Sequence, residues 1–217
     1  MGFLSRILGR GGDAARAEPR PLVTIVSGLP RSGTSMMMRL VEAAGIPVLS
    51  DEIREANSDN PHGYYEFERV KRLRDGDAAW VPEAGGHVVK VISALLEYLP
   101  RTCDYRVLFV QRDLDEVLAS QRRMLENRDE ARRAVDEEEI RALYEEHLEH
   151  IKDWLARQPN FKVLYIDHRR MVVAPEPEVQ AVARFLDTSD RIEHMAAAVD
   201  PTLYRQRAGA ATAPDPA

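Results

Sequence analysis

Residues 28–35, which read Gly-Leu-Pro-Arg-Ser-Gly-Thr-Ser, have the residue types and spacing that could wrap a phosphate group. Their glycines match the G-x-x-x-x-G-K-[ST] loop, in which backbone N–H groups surround phosphates and a lysine reaches the β- and γ-phosphates. Thr34 stands where that lysine would be, and Arg31 is the nearest cation. The loop therefore indicates a phosphate-bearing donor other than ATP.

Four loop residues could donate hydrogen bonds to one anion, namely Ser32, Gly33, Thr34 and Ser35. Their N–H groups would point into one cavity at the start of a helix, where the helix dipole favours negative charge. The hydroxyl groups add donors, and Gly33 lets the backbone approach the oxygen atoms closely. Arg31 could bind the transferred group with its forked guanidinium. The alternative, a tight strand-to-helix turn that binds nothing, does not need so many small, polar and cationic residues.

A second polar group follows the strand-like segment 107–110. Arg112 comes at the end of this strand, and Ser120 lies roughly two turns into the following helix, which Asp113 would cap. Both side chains could therefore approach one external anion. Taken alone, the pair is equally typical of an arginine that forms a salt bridge at a strand end.

Alternating strands and helices would position these two groups. The apolar run 22–27 is typical of a strand buried on both faces of a parallel sheet, and it leads directly into the loop. A helix starts at Thr34 and ends at Gly45. Further strands are predicted at 87–91, 106–111 and 162–166, and further helices at 67–79, 113–127, 136–157 and 176–186. This order predicts a three-layer α/β/α fold of the P-loop NTPase type, with a central, mostly parallel sheet and ligands at the carboxyl ends of its strands.

The composition is that of one soluble enzyme domain. The chain has 217 residues, of which 44% are hydrophobic and 30% charged, and 30 basic against 36 acidic residues give a net charge of −6. This charge excludes a general attraction to nucleic acid, and no apolar run approaches the roughly 20 residues that span a bilayer. The one cysteine, Cys103, cannot form an internal disulfide. We therefore expect a cytoplasmic protein.

The domain is predicted to span residues 21–207, and both ends of the chain are predicted to lie outside it. Residues 1–20 form either a disordered leader or a short basic amphipathic helix, in which residues 1–10 contact a membrane surface weakly. Residues 208–217, rich in alanine and proline, form a disordered tail.

Together, the loop and the second group resemble the sulfotransferase family that uses 3′-phosphoadenosine 5′-phosphosulfate (PAPS). In that family, a Pro-Arg/Lys-Ser-Gly-Thr-Ser/Thr loop holds the 5′-phosphosulfate, and an arginine followed eight residues later by a serine holds the 3′-phosphate. This chain has the loop at residues 30–35 and the pair Arg112 and Ser120. The arginine in the loop is closer to the bacterial, tyrosylprotein and carbohydrate branch than to cytosolic aryl sulfotransferases. The resemblance covers about residues 22–190, with Ile166 as a departure where the family often has Glu.

The resemblance implies in-line transfer of a sulfuryl group from PAPS to a hydroxyl or amine, without a metal. The residues it assigns to donor binding are Arg31, Ser32, Gly33, Thr34, Ser35, Arg112 and Ser120. The acceptor must lose a proton, and Glu66, ahead of a predicted helix, is the candidate general base. His62 is the alternative base, while Glu66 would otherwise only complement the helix dipole.

Lys90 would contact the sulfuryl or bridging oxygen, and Arg31 would support the transferring group. A lysine at a strand end can also be a surface residue whose stem covers apolar groups. Arg205 and Arg207 could return to the 3′-phosphate, or be stray terminal arginines.

Two other functions stay open. A P-loop kinase of a small metabolite would share the fold but should carry the missing lysine. An inactive nucleotide-binding relative would keep the pocket and lack the base. For a sulfotransferase, the acceptor could be a carbohydrate, a lipid, a small metabolite or a peptide tyrosine.

Overall fold

A single parallel sheet organises the protein, whose computed structural model describes residues 19–51, 65–127 and 136–200. The strands are β1 (Leu22–Gly28), β2 (Val88–Lys90), β3 (Asp104–Gln111) and β4 (Phe161–Asp167). Their spatial order is β2-β1-β3-β4, and each neighbouring pair is parallel. The predicted central parallel sheet is confirmed, with a strand at each of the four predicted places.

Helices connect and cover these strands within the described ranges. They are α1 (Thr34–Ala43), α2 (Glu68–Lys71), α3 (Leu114–Asn127), α4 (Glu137–Ala156), α5 (His168–Val173), α6 (Pro175–Leu186) and α7 (Ile192–Ala197). The prediction of one helix over 67–79 is wrong, because the four-residue α2 is followed by a 3₁₀ turn (Leu73–Asp75) that ends where Gly76 adopts φ 89°. Two short helices, α5 and α7, were not predicted. No helix in the described ranges is long and apolar enough to cross a bilayer.

Each face of the sheet packs against its own hydrophobic cluster, because successive side chains of a strand point to opposite faces. On one face, Ile25 and Val107 pack with Ile151 and Leu155 of α4. On the other face, the alternate residues of β1 and β3 pack with helices α1, α6 and α7. This second cluster includes Val26, Met37, Met38, Leu40, Leu108, Val179, Val182 and Met195. The two layers of helices around one sheet confirm the predicted three-layer α/β/α fold.

The order of the strands creates a crevice at the centre of the sheet. The chain leaves β1 toward β2 on one side, whereas it leaves β3 toward β4 on the other side. Connections that diverge in this way open a crevice at the carboxyl ends of the two central strands, where ligands of such folds bind. Gly28 at the end of β1 pairs in register with Val110 near the end of β3. The two polar groups singled out in the sequence therefore border the same crevice.

Candidate functional site

The loop between β1 and α1 turns sharply and leads into a helix that no side chain caps. Gly33 is the N-cap residue of α1, with φ 101° and ψ 17°, and Arg31 also has a positive φ of 69°. Because glycine has no side chain, it cannot accept a hydrogen bond from the first N–H groups of α1. Such donors at a helix start, together with the helix dipole, favour an anion. Thr34 and Ser35 are the first two residues of this helix.

The start of the loop requires glycine and carries a buried hydroxyl. A Cβ atom at Gly28, where φ is 148°, would lie 2.6 Å from the carbonyl oxygen of Val110 and 2.6 Å from Ser32 Oγ. Ser32 is only 1% exposed, and its Oγ has no hydrogen-bond partner among the described residues. Buried hydroxyl groups normally have a partner, so this one fits a ligand oxygen.

Arg31 joins the loop to α3. Its Nε donates a hydrogen bond to Oγ of Ser120 at 3.0 Å, although the two residues are 89 positions apart in the chain. Ser120 is buried on the second turn of α3. The two polar groups, which the sequence suggested as separate anion contacts, thus contact each other directly.

Arg112 contacts both the loop and α3. Its Nε lies 2.9 Å from Oε2 of Glu116, and its Nη1 donates to the carbonyl oxygen of Arg31 at 3.1 Å. The side chains of Arg112 and Glu116 are 9% and 2% exposed, so this is a buried ion pair. The sequence analysis did not single out Glu116. Its signal is the four-residue spacing from Arg112, which places the two side chains on one face at the start of α3.

His168 is a second residue that the sequence analysis missed. It is the first residue of α5, directly after β4, and it is 6% exposed. Burial, together with the charge of Arg112, lowers the pKa of His168 to about 4, so the imidazole is neutral at neutral pH. The available signal was its position at the carboxyl end of a parallel strand, where ligands of this fold class bind.

Lys90 and Glu66 lie on the β2 side of the molecule. Lys90 is the last residue of β2, half-buried and opposite Val26 of β1, and so lies at the carboxyl edge of the sheet. Glu66 precedes Phe67, the N-cap residue of α2. Its Oε2 lies 3.5 Å from Nζ of Lys71.

The segment that carries Glu66 is anchored at two points. The N–H of Asp51 donates to the carbonyl oxygen of Glu66 at 3.1 Å, and the Asp51 carboxylate accepts from the N–H of Glu68 at 2.6 Å. The hydroxyl of Tyr65 donates to Glu42 of α1 at 3.1 Å, and burial with the nearby Glu42 charge raises the pKa of Tyr65 to about 12. The Tyr65 contact ties the segment to α1, the helix that begins at the loop, and the two Asp51 contacts tie it to the chain that follows α1.

Several predicted features lie outside the described residues: the alternative base His62, the arginines Arg205 and Arg207, residues 1–18 of the leader, and the tail at 208–217. Within the described ranges, no group of three or more His, Cys, Asp or Glu side chains could hold a metal ion.

Comparisons with known proteins identify the family of this chain. The family model described as "Sulfotransferase domain" matches residues 23–202. No curated protein matches the chain. Among solved structures, the sulfotransferase domain of the Synechococcus PCC 7002 olefin synthase is 13% identical, with a TM-score of 0.50, over 91% of this chain and 92% of that one.

Two further structures are similar at lower scores. The sulfotransferase domain from the curacin biosynthetic pathway is 12% identical, with a TM-score of 0.49, over 89% of this chain and 94% of that one. Retinol dehydratase, in complex with androsterone and the inactive cofactor PAP, is 20% identical, with a TM-score of 0.49, over 83% of this chain. The chain spans 65% of the retinol dehydratase chain. Because the family model matches well over half of its length, this chain belongs to the sulfotransferase family.

Proposed function

We propose that this chain transfers a sulfuryl group from PAPS to a hydroxyl or amine acceptor, through a single domain at residues 21–207. The observation that carries the proposal is the 3.0 Å contact between Arg31 Nε and Ser120 Oγ, which joins the two polar segments at the central crevice. In the family resemblance, one segment serves the 5′-phosphosulfate and the other the 3′-phosphate. The contact between the two segments supports a single ligand that carries one anionic group at the loop and another at the segment after β3.

The loop would bind the 5′-phosphosulfate. Backbone N–H groups at the start of α1 and the buried Ser32 hydroxyl would donate to its oxygen atoms, and Thr34 and Ser35 would add hydroxyl groups. PAPS supplies the sulfuryl group and a phosphate leaving group. The fixed donors of the loop would stabilise the charge that develops on that phosphate. Arg31 would support the transferring group, and Arg112 with Ser120 would bind the 3′-phosphate.

Glu66 is the proposed general base, and Lys90 is proposed to contact the sulfuryl oxygens. Glu66→Gln keeps the size of the side chain but removes its ability to take a proton, so we expect turnover to fall by about 100-fold or more. If the charge of Glu66 only balances that of Lys71 and the dipole of α2, Glu66→Gln will keep full activity and the base assignment is wrong. In that case His62 is the next residue to replace.

Donor identity is tested by thermal unfolding with adenosine 3′,5′-bisphosphate in the absence of Mg²⁺. At a concentration about 100 times its Kd, a ligand stabilises the folded state by about 2.7 kcal/mol, which raises the Tm by roughly 5 to 11 °C for a chain of this size. Ser120→Ala removes the hydroxyl that contacts Arg31 and should reduce this shift. If only ATP with Mg²⁺ raises the Tm, the protein is better explained as a P-loop kinase and the proposal fails.

Transfer itself is tested with labelled PAPS and acceptors of four classes: carbohydrate, lipid, small metabolite and peptide tyrosine. Arg31→Ala should abolish transfer to any acceptor that the wild type uses. A wild type that binds the bisphosphate and transfers label to none of these acceptors or to a cell extract would be an inactive nucleotide-binding relative. We also expect the activity in the cytoplasmic fraction.

A further inference from the structure

His168 lies at the junction of the anion loop and the segment after β3, and the proposed chemistry does not use it. It follows β4, which pairs with β3 but not with β1. Its side chain nevertheless reaches the loop that follows β1, and it is 6% exposed there. The burial of a polar ring against a loop that is remote in the sequence needs a physical reason.

The imidazole of His168 fills the space that a side chain at position 33 would occupy. A Cβ atom added to Gly33 would lie 2.9 Å from Nε2 of His168 and closer still to its Cδ2. The ring therefore packs against the α-carbon of Gly33, the N-cap residue of α1. Glycine is required at position 33 for two reasons: a Cβ atom would overlap the ring of His168, and the backbone has a φ of 101°.

After Gly28, two residues of the loop have a positive φ, and each is contacted by a side chain from another strand end. Arg31, with φ 69°, is held through its carbonyl oxygen by Nη1 of Arg112 at 3.1 Å. Gly33 is covered by His168. A positive φ costs energy for a residue with a side chain, such as Arg31, and persists when the surrounding structure holds it, whereas glycine adopts it readily. The two contacts thus act on the two residues that give the loop its shape.

We propose that His168 is a positioning residue of the donor site: its ring holds Gly33, and through it the N–H groups at the start of α1, in the geometry that binds an anion. The identity of that anion rests on the proposed function, whereas the effect on the free loop does not. The charged groups that act on the ring are Arg112 and Glu116, after β3, and Asp167, at the end of β4. A neutral ring suits this position, because a protonated one would add a second cation beside Arg112.

The first test measures the free loop by amide hydrogen exchange. The amide of Met37, which donates to the carbonyl oxygen of Gly33, reports on the start of α1. We expect His168→Ala to speed its exchange about tenfold relative to amides of β3. Met171→Ala is the matched control, because Met171 is a fully buried residue of the same helix that packs in the core. The control should lower the Tm by roughly 4 to 20 °C without this local effect.

The second test measures donor binding and turnover. His168→Ala should raise the Kd of adenosine 3′,5′-bisphosphate and the KM for PAPS by about tenfold or more, with kcat reduced less than threefold, because the ring acts through the loop that binds the donor. His168→Phe keeps a flat ring against Gly33 and should restore both constants to within about threefold of wild type. If His168→Ala does not fold, His168→Leu replaces it, with the same expected changes.

The proposal is overturned if Met37 exchanges equally in the His168→Ala and Met171→Ala variants, or if His168→Phe binds the bisphosphate as weakly as His168→Ala. A wild type that does not bind the bisphosphate would instead refute the donor assignment. The exchange comparison would then still decide the role of His168, because it needs no ligand.

Discussion

Arg112→Met should destabilise the protein even when no donor is present. Arg112 and Glu116 form an ion pair whose side chains are 9% and 2% exposed, so the methionine variant leaves the Glu116 carboxylate buried without this cation. Removing one partner of a buried pair costs about 3 to 5 kcal/mol. The variant also loses the hydrogen bond from Nη1 to the carbonyl oxygen of Arg31, which fixes the loop.

Thermal unfolding without ligand measures this effect. For a chain of this size, each kcal/mol moves the Tm by about 2 to 4 °C, so the expected loss is roughly 6 to 20 °C. Arg106→Met is the matched control, since Arg106 lies in β3, the strand that Arg112 follows, but pairs with Asp187, whose side chain is 73% exposed. Because Asp187 is exposed and stays solvated when Arg106 is replaced, the control should lose only about 1 to 2 kcal/mol, including its hydrogen bond to the carbonyl oxygen of Leu186, and should melt well above Arg112→Met.

The double variant Arg112→Met/Glu116→Leu separates the buried charge from the lost arginine. Replacing both partners by apolar residues of similar volume is often close to neutral, so we expect most of the lost Tm to return while binding of adenosine 3′,5′-bisphosphate stays weak. The reasoning is refuted if Arg112→Met melts within about 2 °C of wild type. It is also refuted if the double variant is no more stable than Arg112→Met.

Three further outcomes follow from the same geometry. Glu116→Gln removes the charge that competes for Arg112 but keeps an oxygen that can accept its hydrogen bond. Calorimetry should therefore show that adenosine 3′,5′-bisphosphate binds about threefold to tenfold more tightly. The Tm of the ligand-free variant should be lower than that of the ligand-free wild type. Gly28→Ala would place its Cβ 2.6 Å from the carbonyl oxygen of Val110, so urea unfolding should show a loss of about 2 kcal/mol or more, together with weaker binding of the bisphosphate. The pKa of His168 is lowered from 6.5 to about 4, so the folded state binds this proton more weakly than the unfolded chain. The corresponding stability is present above about pH 6.5 and falls by roughly 3 kcal/mol as the pH drops toward 4, and the stability of His168→Phe should lack this part of the acid dependence.

The sequence alone was sufficient to predict the sheet, and it carries the hypothesis of an anion loop after β1. Continuous apolar runs predicted the strands, because a strand that is buried on both faces needs apolar side chains at successive positions. The glycine spacing and the threonine at position 34 predicted an anion loop without the lysine of an NTPase. The helix predicted over 67–79 failed because Gly76, with φ 89°, ends a 3₁₀ turn there. A local apolar pattern does not reveal such a turn.

The tertiary structure decided which residues meet at the site. Arg31 and Ser120 lie 89 positions apart, and their 3.0 Å contact depends on β1 and β3 being neighbours with diverging connections. The contact of His168 with Gly33 depends on the packing of β4 beside β3. Residue types and local spacing therefore predicted the kind of chemistry that is proposed for this chain. Strand order and close packing, which are properties of the whole fold, determined which side chains hold the loop in place.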